Sequence, residues 1–235
     1  MIVAALQHNS AGPMRLASRP IVVDDGDEAS PAAAIYRVLT GRDAANARIE
    51  SDRDFDRHVL ASILAVALTE RGAVAERSGL AADDLVVLLG RWFPHIAKLF
   101  IPSIEGEPAD DDEAGMVRDL LLAHRSSDGD IGRWLAAMVA RRAMEPNHLW
   151  EDLGLRDRSE LSRLLTRHFA PLANSNTGNM RWKRFFYRKL CEDDGIVMCS
   201  TPVCTHCGDF SRCFGDESGE SRMADRRRAV ALQAS

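Results

Sequence analysis

Four cysteines near the C-terminus have a spacing that suits metal binding. Cys199, Cys204, Cys207 and Cys213 follow one another as C-x4-C-x2-C-x5-C within fifteen residues. Thiolates are soft ligands that suit zinc, Cu(I) and iron–sulfur clusters. A C-x2-C pair lets one tight turn direct two sulfur atoms at one site. The pattern therefore predicts that these four thiolates hold a metal ion or a cluster.

Other uses of cysteine fit this pattern less well. Free cysteines usually behave as small buried hydrophobic residues. Here, however, the 190 residues before Cys191 contain no cysteine, and five thiols follow in a polar tail. Disulfides need an oxidising compartment, and five thiols cannot all pair within one chain. Metal binding is therefore the favoured interpretation.

The identity of the metal stays open on spacing alone. Zinc sites usually consist of two well-separated C-x2-C pairs, whereas the motif has one such pair. The C-x4-C-x2-C part matches plant-type [2Fe–2S] proteins, although their fourth cysteine comes from farther away in the chain. The residues favour an iron–sulfur cluster, with a zinc-stapled interaction module or a simple [2Fe–2S] electron-transfer protein as the alternatives.

The composition and charge of the chain argue against several broad classes of protein. Its 235 residues are 46% hydrophobic and 28% charged, which is usual for a globular protein with one sizeable core. The formal net charge of −5 argues against nucleic-acid binding by the surface as a whole. No apolar run reaches membrane-spanning length, and the first residues lack a secretory-signal pattern. With reduced, clustered thiols, these features predict a cytoplasmic protein that binds neither membrane nor nucleic acid.

Local signals predict helices in the first part of the chain. Ser30 followed by Pro31 is typical of an N-cap and a first helical residue, and Gly41 is a stop signal. Ser51 with Asp54 resembles a capping box, and apolar residues follow it at helical spacing. Two amphipathic helices are therefore expected before residue 72.

Later segments show the same kind of pattern. The apolar run Leu85–Leu89 is short enough for a buried strand, but the two aspartates before it favour a helix. A helix capped by Asp130 is predicted to end at Pro146. Residues 157–160 form a D-x-x-E capping pattern, and the helix that follows is predicted to stop at Pro171.

A run of four carboxylates, Asp110–Glu113, allows two interpretations. It could bind a cation or take part in handling molybdate, or it could stabilise the N-terminus of a helix. Apolar residues follow it at helical spacing, which favours the helix start. These are Met116, Val117, Leu120 and Leu121.

Residues 180–190 predict an amphipathic helix with a strongly basic face. Its apolar face consists of Trp182, Phe185, Phe186 and Leu190. Its basic residues are Arg181, Lys183, Arg184, Arg188 and Lys189. The apolar face is expected to pack against the core. The basic face is expected to serve an adjacent anionic cluster or an oxyanion; RNA binding is the weaker alternative.

The stretch from about Asp112 to Glu217 resembles NifQ, a family of nitrogen-fixation accessory proteins. The resemblance rests on "DEAGMVRDLLLAHRS", "NHLWEDLGLRDRSELSRLLTRHFAPLA", "MRWKRFFYRKLCEDDGI" and the cysteine stretch that ends in "CFGDES". The resemblance implies that the protein carries a molybdenum–iron–sulfur cluster. It also implies that the protein passes molybdenum toward the iron–molybdenum cofactor of nitrogenase. The recipients it implies are the NifEN scaffold and the nitrogenase iron protein, NifH.

The resemblance also implies which residues bind the cluster. Cys199, Cys204, Cys207 and Cys213 match the motif of the family one for one, whereas Cys191 lies outside it and is at most an extra ligand. A metal donor rather than an enzyme is expected, because no nucleophile–base constellation, P-loop or Rossmann fingerprint is present.

Four histidines are candidates for other roles. His206 lies between two of the cysteines and is the nearest candidate for a further ligand, although a solvent-facing turn is the simpler interpretation. His124, His148 and His168 lie at or beside predicted helices, so each is expected to have a satisfied packing role.

These observations predict a mainly α-helical protein: a single domain of amphipathic helices followed by a cysteine-rich, cluster-binding module. The predicted divisions are a loose or disordered lead (1–30), the helical domain (31–190), the cysteine-rich module (191–217) and a flexible tail (218–235).

Overall fold

The computed structural model describes residues 30–100, 106–108 and 111–193, and this part of the chain is built from α-helices without β-strands. The predicted mainly helical character is thereby confirmed. A short 3-10 turn at Ala44–Asn46 joins the first two helices. In chain order the helices are α1 Pro31–Thr40, α2 Asp52–Thr69, α3 Val74–Ser78, α4 Ala82–Trp92, α5 Pro94–Phe100, α6 Asp112–Ala123, α7 Asp130–Ala143, α8 Leu149–Asp152, α9 Arg158–His168, α10 Ala170–Ser175 and α11 Trp182–Asp193.

Helices α2 and α7 form the centre of the hydrophobic core. Eleven of the 18 residues of α2 and nine of the 14 residues of α7 are buried, so neighbouring elements surround both helices. Helix α1 packs on α2, and α6 packs on α7. The continuous core extends from Tyr36 in α1 to Phe186 in α11. Burial of each large apolar side chain contributes about 1.5–3 kcal/mol to stability before the entropy cost of ordering the chain is subtracted.

The predicted starts of α1 and α2 are confirmed. The Ser30 side chain caps α1, Pro31 is its first residue, and Gly41 ends it in the left-handed conformation with φ of 77°. Ser51 caps α2 by accepting a hydrogen bond from the backbone N–H of Asp54 at 3.1 Å. These local signals succeed because each one satisfies backbone groups that the helix itself leaves unpaired.

The apolar run Leu85–Leu89, which was short enough to be a buried strand, lies in helix α4, and the sequence had favoured a helix. Asp83 and Asp84 lie in the first turn of α4, where carboxylates stabilise the positive end of the helix dipole. Asp84 also accepts two hydrogen bonds from Arg133 of α7, at 2.6 and 2.7 Å. This contact lowers the pKa of Asp84 and joins α4 to α7.

The carboxylate run lies at the start of helix α6, which is the interpretation that the sequence favoured. Asp111 is the N-cap, and its carboxylate accepts hydrogen bonds from the backbone N–H groups of Glu113 and Ala114, both at 3.0 Å. Asp112 and Glu113 occupy the first turn. Asp110 lies outside the described residues.

One of two further predicted helix boundaries is wrong. Gly129, and not Asp130, is the N-cap of α7; Asp130 is its first residue, and its carboxylate faces Arg91 and Arg133 instead. The predicted stop of the preceding helix near Pro171 is confirmed, since α9 ends at His168, and Pro171 itself lies in the first turn of the next helix, α10. Proline is well tolerated there, since the first N–H groups of a helix have no partner within the helix.

Gly154 lies where a larger residue would collide with α2. Its φ is +69°, and an added Cβ atom would lie 2.7 Å from Val66 Cγ2 and 2.9 Å from the Ser62 carbonyl oxygen. Gly41 has a similar φ of +77° but no heavy atom within 4 Å of the same position, which makes it a matched control.

We expect Gly41→Ala to lower the free energy of unfolding by about 1 kcal/mol, from the left-handed backbone alone. Gly154→Ala should cost roughly 2 kcal/mol more, because α2 must also shift. Urea denaturation of both variants measures the difference. Equal losses would contradict the close approach of the turn after α8 to α2.

Residues 1–29 and 194–235 lie outside the described part of the chain, so the predicted lead, tail and most of the cysteine-rich module do as well. The division of the chain into these segments stays a prediction. Within the described residues, no helix combines the length and the apolar character needed to cross a membrane.

Candidate functional site

Helix α11 connects the described core to the segment that carries the cysteine motif. Its apolar face packs into the core as predicted: Trp182, Phe185 and Phe186 are 6%, 7% and 0% exposed. The rings of Trp182 and Phe185 meet edge to face, with centroids 5.9 Å apart. Leu190 is partly buried against the same cluster. The helix is therefore anchored along most of its length.

Lys183 does not have the role predicted for the basic face of α11, which was to serve an anionic cluster or an oxyanion. Its ammonium group donates to Asp152 Oδ2 at 2.6 Å and to the backbone carbonyl of Glu145. The Asp152 side chain is only 2% exposed, so this ion pair is largely removed from water. Burial is the largest influence on Lys183 and lowers its pKa, although the hydrogen bond with Asp152 opposes this. Lys183 thus joins α11 to α8.

Asp152 is the centre of a wider polar network. Its other carboxylate oxygen, Oδ1, accepts a hydrogen bond from Asn147 at 3.0 Å. Its backbone carbonyl accepts from Arg142 Nε at 2.7 Å. The buried Arg142 guanidinium also binds Glu70 through two hydrogen bonds, at 2.9 and 2.8 Å. The network links the end of α2 with α7, α8 and α11.

A second polar contact holds α11 on the side of α6. Tyr187 of α11 interacts with Glu113 in the first turn of α6, and the two helices pack on each other. Burial, followed by the interaction with Glu113, raises the pKa of Tyr187, so the phenol stays protonated. Glu113 therefore both favours the start of α6 and fixes α11.

The structure describes one of the five cysteines. Cys191 lies in the last turns of α11 as a partly buried free thiol. Cys199, Cys204, Cys207 and Cys213 lie outside the described residues, and so does His206. Among the described side chains, no group of three or more His, Cys, Asp or Glu residues is placed to hold a metal ion.

The C-terminal end of α11 is charged, although its charges partly compensate one another. Arg188 Nε lies 2.8 Å from Glu192 Oε1, and Lys189 Nζ lies 3.7 Å from Glu192 Oε2. A cleft of about 310 Å³ lies between these residues and the loop at residues 175–178. It adjoins the point where the chain leaves the described structure toward the cysteines.

A buried network around His58 was missed by the sequence analysis. The Tyr36 hydroxyl lies 2.7 Å from His58 Nδ1, and His58 Nε2 lies 3.1 Å from Glu160 Oε2. Both contacts are satisfied when Tyr36 donates to Nδ1 and the Nε2–H group donates to Glu160. Burial raises the pKa of Tyr36 to about 12, which agrees with a phenol that donates.

The Glu160 side chain does not have the capping role that the D-x-x-E pattern predicted. Asp157 caps α9 as expected, but the Glu160 carboxylate accepts from His58 and from the backbone N–H and side chain of Arg156. Burial, the largest influence, tends to raise the pKa of Glu160. The hydrogen bonds from His58 and Arg156 overcome it and lower the pKa to about 2.

A second cluster joins the same two helices about two turns farther along α9. Asp56 of α2 accepts hydrogen bonds from Arg167 at 2.8 and 2.9 Å and lies 2.8 Å from His168 Nε2. Burial raises the pKa of Asp56, but the hydrogen bonds from His168 and Arg167 outweigh it and the pKa is lowered. His168 therefore has the satisfied packing role that was expected.

These two clusters stabilise the fold and are closed to a substrate. Tyr36, His58, Asp56 and Glu160 are each at most 4% exposed. A signal for them was present in the sequence: Asp56 and His58 interrupt the apolar face of α2, and α9 carries oppositely charged partners. Buried polar groups need such partners.

Two other histidines also have local packing partners. His124 Nδ1 lies 2.8 Å from the carbonyl oxygen of Leu120, one turn earlier in α6. His148 takes part in a capping box with Glu151 at the start of α8.

A larger cleft of about 660 Å³ lies between α6 and α7. Small residues form much of its wall, and several of its charged residues already have partners within the protein. Arg118 contacts Asp119, and Arg141 contacts Glu145. This mixture of charges favours no class of ligand.

Comparison with known proteins places the chain beside NifQ proteins. The NifQ family model matches residues 59–215, which begins earlier than the sequence resemblance at Asp112 and includes all four motif cysteines. No solved structure matches.

Three curated relatives have NifQ in their names. The protein NifQ homolog of Sinorhizobium fredii is 43% identical over 182 residues, which cover 72% of this chain and 76% of the relative. Protein NifQ of Rhodobacter capsulatus is 41% identical over 149 residues, covering 62% and 80%. Protein NifQ of Azotobacter vinelandii is 45% identical over 106 residues, covering 45% and 54%. A family match over more than half of the chain, together with these identities, shows that the chain belongs to the NifQ family.

Proposed function

We propose that this protein is a molybdenum carrier, which binds molybdenum within an iron–sulfur cluster and donates it for synthesis of the iron–molybdenum cofactor of nitrogenase. The observation that supports this proposal is the family match, because its range contains the complete C-x4-C-x2-C-x5-C motif. The proposed ligands are Cys199, Cys204, Cys207 and Cys213.

The chemistry of the donor set fits a sulfide cluster better than molybdate itself. Soft thiolates bind iron–sulfide units well, whereas hard oxygen-rich anions prefer other ligands. A cluster held by four thiolates carries negative charge, and cationic side chains near the end of α11 would lower the cost of holding it. In this proposal the cluster is cargo, so the protein acts as a donor in the cytoplasm rather than as an enzyme.

The proposed recipients are the NifEN scaffold and the nitrogenase iron protein, NifH. The support is membership of the NifQ family.

An assembly experiment tests donation. Anaerobically purified, cluster-loaded protein is added as the molybdenum source to NifEN and NifH, from which free molybdate has been removed. We expect cofactor formation that depends on the added protein and that stops when all four motif cysteines are serine. Equal cofactor formation with the four-serine variant would overturn the proposal.

The motif predicts an order of importance among the thiols. Cys207 shares the tight C-x2-C turn, so Cys207→Ser should remove roughly half or more of the bound iron. Cys191→Ser should retain nearly all of it, because Cys191 lies in α11 outside the motif. Iron analysis after anaerobic gel filtration measures both variants. Equal iron loss from the two would show that Cys191 is also a ligand.

A further inference from the structure

Two arginines of α2, Arg53 and Arg57, lie one turn apart and therefore on one face of the helix. The Arg53 guanidinium lies over the ring of Trp92, 5.7 Å from its centroid. The Arg57 guanidinium lies over the ring of Phe93 at 5.8 Å. Both distances are within the range of a cation–π interaction. The two arginines are therefore held against the junction of α4 and α5.

The carboxylates in the same part of α2 have partners elsewhere. Asp52 and Asp56 pair with arginines of α9, and Asp54 accepts a hydrogen bond from the Ser51 hydroxyl at 2.6 Å. Among the side chains that the structure describes, no carboxylate forms an ion pair with either arginine of this face. The described protein therefore leaves two positive charges here without a counter-charge, although the formal net charge of the chain is −5.

The end of α1 and the start of α5 continue the surface around these arginines. Arg57 Nη2 lies 3.4 Å from the carbonyl oxygen of Leu39. His95 Nε2 lies 3.3 Å from the carbonyl oxygen of Val38. Val38 is 50% exposed, His95 is exposed, and Trp92 is partly exposed. We call this surface the arginine–tryptophan patch; it consists of Val38, Arg53, Arg57, Trp92 and His95.

The composition of the patch fits a carboxylate-bearing surface of another protein. A guanidinium group can donate two parallel hydrogen bonds to one carboxylate, and its planar shape allows it to stack on an aromatic ring at the same time. Arginine and tryptophan are also enriched among the residues that contribute most to the binding energy of protein interfaces. The exposed Val38 adds apolar area beside the charges. An acidic protein surface can therefore satisfy both the charged and the apolar part of the patch.

The same features fit a nucleic acid or a membrane poorly. A protein that binds a phosphate backbone tightly makes about 6–10 contacts with phosphates, whereas the basic residues of the patch are two arginines and one histidine. Recognition of an anionic membrane surface takes clusters of about 4–8 basic residues. A partner protein is therefore the occupant that charge and composition favour.

We propose that the arginine–tryptophan patch docks an acidic surface of the protein that receives the metal. This inference rests on the proposed carrier function, whose recipients are NifEN and NifH. In the complex, carboxylates of the recipient accept hydrogen bonds from Arg53 and Arg57, and its apolar side chains cover Val38 and Trp92. All residues of the patch lie within the described part of the chain.

The affinity of the full-length protein for immobilised NifEN and for immobilised NifH tests the patch. Arg53→Gln with Arg57→Gln removes both charges and should raise the Kd for at least one recipient roughly ten-fold or more. Val38→Glu places a carboxylate at an exposed position beside the arginines and should weaken the same complex. Should the double variant fail to fold, Arg53→Gln alone changes an exposed residue and should still raise the Kd roughly five-fold.

A matched control removes two other positive charges from the surface. Arg118→Gln with Arg125→Gln changes arginines that already pair with acidic neighbours, Asp119 and Asp128. The total charge changes by the same amount as in the double variant of the patch, but no unpaired arginine is lost. The Kd of this control should equal that of the parent protein within about two-fold.

Two further readouts identify the chemistry of the occupant. Added salt should weaken the complex of the parent protein more than that of the double variant, because salt screens exposed charges. A poly-glutamate peptide should compete with the recipient for the parent protein more strongly than a single-stranded DNA oligonucleotide of equal charge. Stronger competition by the oligonucleotide would show that the patch binds nucleic acid and would overturn the proposal.

The other contrary outcomes can be told apart. An unchanged Kd of the double variant, or parent protein that binds neither recipient, would overturn docking at the patch and leave molybdenum donation to the assembly experiment. An equal loss of affinity in the control would show a general effect of charge and would also overturn it. Self-association of the parent protein that the double variant lacks would make a second copy of the chain the occupant. Binding that depends on the patch without any transfer of molybdenum would overturn the carrier function and not the docking surface.

Discussion

Changing Cys199, Cys204, Cys207 and Cys213 together to serine should abolish iron and molybdenum binding and leave the helical fold largely unchanged. The described core extends from Tyr36 to Phe186 and contains no cysteine. A core of this size can fold without a metal staple, unlike a small zinc domain that is unfolded in its apo form.

Circular dichroism and thermal melting, together with metal analysis, measure this result. The four-serine variant should retain nearly the full helical signal and a cooperative transition. Cys191→Ser is the control, since it removes a thiol from α11 itself and should change neither metal content nor melting. Loss of most helicity in the four-serine variant would show that the metal is structural for the whole protein.

Glu160→Gln should lower the free energy of unfolding by about 3 kcal/mol at neutral pH. The Glu160 pKa falls from 4.5 to about 2 in the folded protein, and each pKa unit corresponds to about 1.4 kcal/mol. Domains are typically stable by about 5–15 kcal/mol, so this is a large share of the total. Urea denaturation at pH 7 measures the loss.

The same substitution should change the acid sensitivity of the protein. Because the folded-state pKa of Glu160 is depressed, its stabilisation is complete above about pH 4.5 and is lost as the pH falls toward 2. The difference between parent and Glu160→Gln should therefore shrink over this range. Asp119→Asn is the control: its side chain is 68% exposed, so the expected loss is at most about 1 kcal/mol. A difference that stays constant down to pH 2 would contradict the role given to the carboxylate.

The sequence predicted those helix boundaries that depend on local chemistry. Ser30, Ser51 and Asp157 act as caps because each side chain satisfies backbone groups two or three residues away. The apolar face of α11 was predictable for a similar reason, since its spacing alone places Trp182 and Phe186 on one side of a helix.

Contacts between distant parts of the chain were not predictable in this way. His58 and Glu160 are 102 residues apart, and no local signal states that α2 and α9 are neighbours. Lys183 looked like a surface residue because lysines usually are. Its long side chain instead reaches the buried Asp152 on another helix. Pairings of this kind depend on the packing of whole helices.

For the candidate site, the sequence predicts thiolate ligands and leaves the metal partly open, and both stay predictions. Four thiols at this spacing indicate metal binding, but spacing alone left zinc and iron–sulfur chemistry both open. Membership of the NifQ family is the reason for proposing molybdenum together with iron and sulfide, and this metal content stays a prediction.

Metal analysis of the anaerobically purified protein tests the central claim most directly. We predict a brown protein that contains iron, sulfide and molybdenum, all three of which are absent from the four-serine variant. A colourless protein with stoichiometric zinc and no iron would contradict the account, and iron without molybdenum would indicate a simple electron-transfer protein instead.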